Sequence, residues 1–306
     1  MIKTISVTNP DNETLVLELA RPDKSGFVVG PVTGLGPVKA SINTTKFATM
    51  DGDIYNSARA ESRNIVIPLV FLDNPTIEDS RHLSYKYFPI KKNVKVKIET
   101  DSRVLETIGY VESNDPAIFA KDSGTQISIV CPDSYFEAAG GASGGFVDSE
   151  FYSVTPLLEF PMENLSLTVP LIQLGEATVG QGLVVEYDGD VPSGLEIFVS
   201  VIGAFSGFSI YEVATGLGIT LNQTRLNAAI SSTPAAGDSF YISTHKGKKR
   251  ILYTRGSTTY NIIDALDGVT SWLELERGSQ LIAYSATSGS DKLRVGLRPR
   301  PRYEGV

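Results

Sequence analysis

Cysteine is nearly absent: the 306 residues contain one, Cys131. No internal disulfide can form, so an oxidising compartment is not required. Histidine is almost as scarce, with only His82 and His245. A histidine-rich metal site within one chain is therefore excluded, and imidazole acid–base chemistry has two candidates. No apolar run approaches the length that spans a bilayer, so no membrane insertion is expected. Cations are in deficit, with 27 Lys and Arg against 35 Asp and Glu and a formal net charge of −8. Tight nucleic-acid binding needs cationic surface to displace counterions and is disfavoured. An acidic passage along which a duplex slides without sticking is compatible with the same balance. A phosphate loop is missing. Gly34-x-Gly36 has no third glycine at the required spacing and no helix after it, so it reads as a tight turn. Met1-Ile2-Lys3 leads straight into a strand-like pattern without a signal-peptide core. The expectation is synthesis in a cytoplasm, with retention there or release by lysis.

Hydrophobic residues make up 42% and charged residues 20%, the balance of a soluble globular chain. The length favours two domains. Between Lys95 and Phe136 lies the clearest organisation. Val94, Val96 and Ile98 alternate with Lys95, Lys97 and Glu99, the period of a half-buried strand. Asp101-Ser102-Arg103 turns the chain, and Val104, Leu105, Ile108 and Val111 carry it back. Asn114-Asp115-Pro116 reads as a break, because the residue before proline leaves the helical region. Gln126 to Val130 forms a third strand, closed by Cys131-Pro132-Asp133. Ala138 to Gly145 is rich in Gly, Ala and Ser and reads as a flexible joint. The chain is thus divided into a domain at 1–138, a linker at 139–150 and a second domain at 151–306. The last strand, 292–306, belongs to the second domain or returns to the first.

In the first domain, Ile2, Ile5 and Val7 pair with the run Thr14 to Leu19 as a hairpin. The stretch from Phe47 to Ile65 turns polar around Asp51-Gly52, a hairpin-tip pair. A long hairpin with a polar middle does not bury itself in its own domain. It is either a mobile surface loop or an arm that clasps a neighbouring subunit, with Met50, Asp51, Gly52, Ile54 and Tyr55 as its contacts. Asn74 or Thr76 caps the one clear helix. Leu83, Tyr87 and Ile90 would face the sheet, Pro89 stops the helix, and His82 lies off that face. In the second domain, short apolar runs recur between turn residues, including Leu183 to Tyr187, Leu195 to Ile202, Phe208 to Val213, Phe240 to Ser243, Trp272 to Leu275 and Leu281 to Ala286. That spacing indicates a β-sandwich. Asn222 to Ala229 is a helical turn or a loop.

Candidate chemistry is sparse. Trp272, the only tryptophan, packs between two sheets or stacks on a sugar ring as a carbohydrate contact. Glu274 and Glu276 point to one face of one strand, whereas glycosidases set two carboxylates across a cleft. Asp188-Gly189-Asp190 lacks the ligand series of a calcium loop and reads as a turn. Cys131 reads as a small buried apolar residue. Lys246, Lys248, Lys249 and Arg250 form a basic hairpin. Arg298, Arg300 and Arg302, interleaved with Pro299 and Pro301, form an extended edge strand. Either group is solvated or docks an acidic neighbour. No catalytic residue, metal site or cofactor is indicated.

Two dense patches carry a family resemblance. The first is Gly109-Tyr110-Val111-Glu112-Ser113, Ile118-Phe119, Gln126 to Ile129 and Cys131-Pro132-Asp133-Ser134-Tyr135-Phe136. The second is Lys246 to Leu252, Tyr260 to Ile263, Ser271 to Leu275, Arg277 to Gln280 and Tyr303 to Val306. Their order resembles the distal tail (Dit) family of siphophages, with Ser279-Gln280 where such sequences often carry asparagine. The resemblance implies a mainly β protein of two domains. The first would be an antiparallel β-sandwich or sheet with one helix and a long hairpin arm, and the second a galectin-like β-sandwich. It further implies a non-enzymatic structural protein at the distal end of a phage or prophage tail. Such a protein is a homo-hexameric ring that joins the tail tube protein to the tail-associated tip or hub protein and to receptor-binding proteins, and DNA passes through it. A carbohydrate-binding surface module is the rival reading, and a glycoside hydrolase a third.

Overall fold

A computed structural model describes residues 1–49, 51–118, 123–139, 149–156, 175–179 and 182–306. They divide into two compact units, Met1–Gly145 with Arg302–Val306, and Phe146–Pro301. Of the glycine-rich stretch expected as a linker, residues 140–148 lie outside the described residues, as do 157–174.

The first unit opens with β1 (Ile2–Thr8) and β2 (Thr14–Glu18), then a one-turn α1 (Pro22–Ser25) and β3 (Phe27–Val29). An exposed hairpin follows, β4 (Ala40–Lys46) and β5 (Asp53–Ala60). Next come β6 (Arg63–Phe71), α2 (Ile77–Tyr87), β7 (Asn93–Thr100), β8 (Val104–Pro116), β9 (Gly124–Cys131) and β10 (Phe136–Ala138). The main sheet runs β2-β1-β7-β8-β9-β6-β3, every pair antiparallel, with β10 joined to β8. Alternation decides which face is buried. Val94, Val96 and Ile98 of β7 share one core with Ile5, Val7, Leu17, Ile65, Ile67, Ile127 and Ile129. Each such side chain contributes about 1.5–3 kcal/mol of burial.

Three sequence expectations change here. Asn114-Asp115-Pro116 does not break the chain: β8 continues through Pro116, which pairs with Thr125 at the end of the ladder. Proline is tolerated at such a terminus because few ladder bonds remain for it to break. Helix α2 is capped by Thr76, whose side chain accepts from the Asp79 amide at 3.2 Å. Its fully buried residues are Ser80 and Ser84; of the expected Leu83, Tyr87 and Ile90, the first two are partly buried and pack against the core, and Ile90 does not. The small side chains let the helix sit close, with Ser80 Oγ donating to the Leu72 carbonyl and Asn114 Nδ2 to that of Ser84. Phe88 supplies the buried apolar anchor, whereas Ile90 falls beyond the helix and is exposed. The clear helix is also not alone in this unit, since Pro22–Ser25 makes a short turn of its own.

The second unit contains β11 (Ser149–Glu150), β12 (Tyr152–Pro156), β13 (Gly175–Val179), β14 (Gly182–Tyr187), β15 (Leu195–Val201), β16 (Ser206–Glu212) and β17 (Gly218–Leu221). After α3 (Gln223–Ile230) come β18 (Ser239–Ser243), β19 (Arg250–Arg255), β20 (Thr258–Asn261), β21 (Gly278–Ser288) and β22 (Leu293–Pro299). A six-stranded sheet, β11-β22-β15-β18-β19-β20, and a four-stranded sheet, β14-β21-β16-β17, share one core. Aromatic rings fill it: Phe208 meets Phe240 edge-on at 5.0 Å, as Phe151 meets Tyr284. Asn222 caps α3 by accepting from the Arg225 amide, and Leu226 and Ile230, one turn apart, face inward. Trp272 to Leu275 is not a ladder strand; only Leu275 makes an isolated bridge, to Ser193. The strand ending in Arg298-Pro299 is not an edge either. It lies between β11 and β15, and its proline stands beyond the reach of β11, whose pairing stops at Leu297. The chain then returns to the first unit, where β23 (Arg302–Tyr303) pairs with β10.

Candidate assembly surface

Among the described residues, the hairpin β4–β5 is a sheet of its own, hydrogen-bonded to no other strand. Side chains along both strands are exposed, apart from the partly covered Ser41 and Ala60 near its base. Gly52 enters β5 with φ +87°, the left-handed geometry that glycine adopts without strain. Met50 lies outside the described residues, and Asp51 and Gly52 sit in the exposed loop joining the strands.

Register gives the hairpin two unlike faces. Ile42 pairs with Ala58 and Ala40 with Ala60, while Asn43 pairs with Ser57 and Ser41 with Arg59. Directly opposed residues share a face. By simple alternation Tyr55 would fall with Ser57 and Arg59. An irregularity between Asn43 and Thr44 leaves Asn56 unmatched, so that Tyr55 pairs with Thr44. One extra residue reverses the parity of the strand beyond it. Tyr55 therefore joins Ala40, Ile42, Ala58 and Ala60 on one apolar stripe. Asn56 Nδ2 donates to Thr45 Oγ1 at 2.7 Å on the other side. Ile42 and Tyr55 are each 63% exposed, so this stripe has little covering within its own chain. Ile54, on the polar side, and Phe47, in the connecting loop, are 45% and 50% exposed.

At its base the hairpin borders a cleft lined by Pro37, Ala40, Ala58, Arg59, Tyr135 and Glu304, among others. Glu61 N donates to the Lys39 carbonyl at 3.0 Å and closes the two strands there. Gly34, in the turn before the hairpin, has φ +82°, and a Cβ there would lie 1.9 Å from the Asn64 carbonyl oxygen. Sequence supported the turn, and the close backbone contact supplies its reason.

The other singled-out residues belong to segments outside β4 and β5. Trp272 is half-buried and packs against the second unit's core, with Lys249 Nζ 5.2 Å from its ring centre. At that distance the ammonium makes a cation–π contact with the indole. Lys246, Lys248, Lys249 and Arg250 are exposed, and Arg250 lies over Tyr241 at 5.2 Å. Arg300 reaches Glu196 at 3.2 Å, and Arg302 pairs with Asp133. Glu274 and Glu276 are exposed in an irregular segment. His82 is exposed on α2, 3.9 Å from Glu78. Cys131 is buried, and desolvation raises its thiol pKa, which disfavours the nucleophilic thiolate. Among the described residues, no three His, Cys, Asp or Glu converge as metal ligands.

Sequence reasoning missed Arg63, the largest of the fully buried side chains. Its partners are backbone carbonyls from distant segments, so no local pattern could have marked it.

No family model and no curated protein matches the sequence. Solved structures do match. The crystal structure of the Dit (gp 19.1) protein of phage SPP1, described as a paradigm of the hub adsorption apparatus in phages infecting Gram-positive hosts, superposes with a TM-score of 0.62. That match has 10% identity over 97% of this chain and 98% of the other. A chain of the phage P2 baseplate in its activated conformation with Ca gives 0.54 at 11% identity, over the full length of both. The same baseplate activated with Sr gives 0.50 at 10% identity over 97% of each chain. The chain has the mainly β fold of phage hub and baseplate proteins, shared along its whole length.

Proposed function

We propose that this protein is a structural component of the distal end of a siphophage or prophage tail, and that its copies close into a ring. The observation that carries the reading is the exposed apolar stripe of the β4–β5 hairpin, on a chain whose whole fold is that of the SPP1 hub protein. A hairpin with two solvated faces is marginally stable alone. Covering Ile42, Ala58 and Tyr55 with a neighbouring subunit removes apolar surface from water at roughly 25 cal/mol per Å². The contact is heterologous, since an arm on one copy meets a different surface on the next, and such contacts close into rings when the rotation permits.

In this reading residues 1–138, joined by Arg302–Val306, build the ring, a hexamer by likeness to the Dit family, 139–150 link, and the rest of 151–306 forms the second sandwich. The tail tube protein lies on one side, and the tip or hub protein and receptor-binding proteins on the other. DNA passes through without specific contacts, and the work is assembly, not catalysis. Negative-stain microscopy of the purified chain tests it: annular particles with a central opening are expected. A monomer persisting at high concentration by light scattering would overturn the reading.

A further inference from the structure

We propose that Arg63 and the C-terminal segment Arg302–Val306 form a clamp that fixes the direction of the β4–β5 arm. The inference rests on the assembly role just assigned to that arm. Arg63 is 1% exposed, and all five of its N–H donors are used. Nη1 donates to the carbonyls of Gly34 and Gly36 at 2.5 and 2.7 Å. Nε and Nη2 donate to that of Ser134 at 3.2 and 2.8 Å, and Nη2 to that of Glu304 at 2.6 Å. The guanidinium lies 4.1 Å from the centre of the Phe136 ring.

These acceptors belong to three segments, and all three bear on the arm's root. Gly34 and Gly36 lead into β4. The Val306 amide donates to the intervening Leu35 carbonyl at 3.0 Å. Ser134 Oγ donates to the carbonyl of Glu61, the residue after β5, at 2.7 Å. Tyr135 and Glu304 line the cleft against Ala40 and Ala58. The entry and exit of the arm are thus both tied to one buried cation and to the chain terminus. The arm has no core of its own, so its direction depends on that root. The segment that completes the clamp is the continuation of β22, so the arm is set only after the chain has returned from the second unit.

Hydrogen exchange on the full chain, compared at matched oligomeric state, tests the clamp. One variant ends at Tyr303, which removes the Glu304 acceptor and the Val306 donor; a second carries Arg63→Gln. The truncation is expected to speed exchange of the β4 and β5 amides about tenfold while β7 and β8 stay protected, a local opening. Unchanged exchange in the arm overturns the clamp. So does a uniform rise across β7 and β8, which would mean that the terminus supports the whole sheet. If Arg63→Gln unfolds the chain, the truncation decides alone. Combining Ile42→Ser with Tyr55→Ser separates the two claims: an assembly that survives the loss of both stripe side chains refutes the arm's role, whereas the exchange data judge the clamp independently.

Discussion

The β4–β5 hairpin and the β7–β8–β9 meander use the same antiparallel pairing and opposite bookkeeping of side chains. In the meander, alternate residues disappear into a core shared with six other strands, and the outward residues are largely polar or charged. In the hairpin nearly every residue stays in water, yet one face is apolar over Ala40, Ile42, Tyr55, Ala58 and Ala60. Burial in the meander stabilises the monomer. Apolar surface left outside in the hairpin can stabilise only a contact with something else.

Substitutions can break that contrast. The largest effect is expected in the meander: Ile129→Ala should cost about 2–5 kcal/mol of unfolding free energy, measured by urea titration. A cost under 1 kcal/mol would mean that the meander core is not what holds this unit. Next comes an internal control in the second unit. Arg255 holds the carboxyl of Asp238 near a pKa of about 2, aided by Tyr253 and the Ala235 amide and opposed by burial. A carboxylate with a lowered folded-state pKa adds stability above its unfolded value of 3.8 and loses it as pH falls towards 2. Asp238→Asn should remove about 2 kcal/mol at pH 7 and flatten the loss of stability between pH 4 and pH 2. It should leave assembly through the hairpin unchanged. A wild-type acid-unfolding profile identical to that of the variant would refute this linkage.

Smaller still is Gly52→Ala, which places a Cβ at φ +87° and should cost about 1–2 kcal/mol locally. Because nothing lies within 4 Å of that Cβ, the cost should appear as faster exchange in the hairpin and not as a lower Tm. The least effect on monomer stability is expected for Tyr55→Ser, within about 0.5 kcal/mol, together with a clear loss of assembled mass by light scattering. Unaltered assembly would place the subunit contact elsewhere.

Much of the scaffold was legible because it depends on neighbours in sequence. The alternation of Val94, Val96 and Ile98, the Thr76 cap with Asp79 three residues on, and the glycine turn at Gly34 are all local. Errors arose where distant packing overrode a local rule. Pro116 stayed in a strand because β9 continues to pair with it. Ser80 and Ser84 face inward because Leu72 and Asn114 bring hydrogen-bonding partners to them. The arginine–proline strand is interior because β11 pairs along its other side. In the arm, Ile54 and Tyr55 could be nominated as exposed apolar residues but not assigned to faces, since the unmatched Asn56 is a property of the pairing.

By itself the sequence determined that the chain is mainly β, that it has two hydrophobic cores' worth of short strands, and that a polar hairpin interrupts the first set. Period, turn chemistry and caps operate over a few residues and survive without knowledge of the fold. Tertiary structure alone decided that Tyr55 shares a face with Ile42, that Arg63 is saturated by carbonyls up to 241 residues away, and that the last residues come home to β10. Those outcomes depend on which strands meet and in what register, and that is settled by surface shared between remote segments.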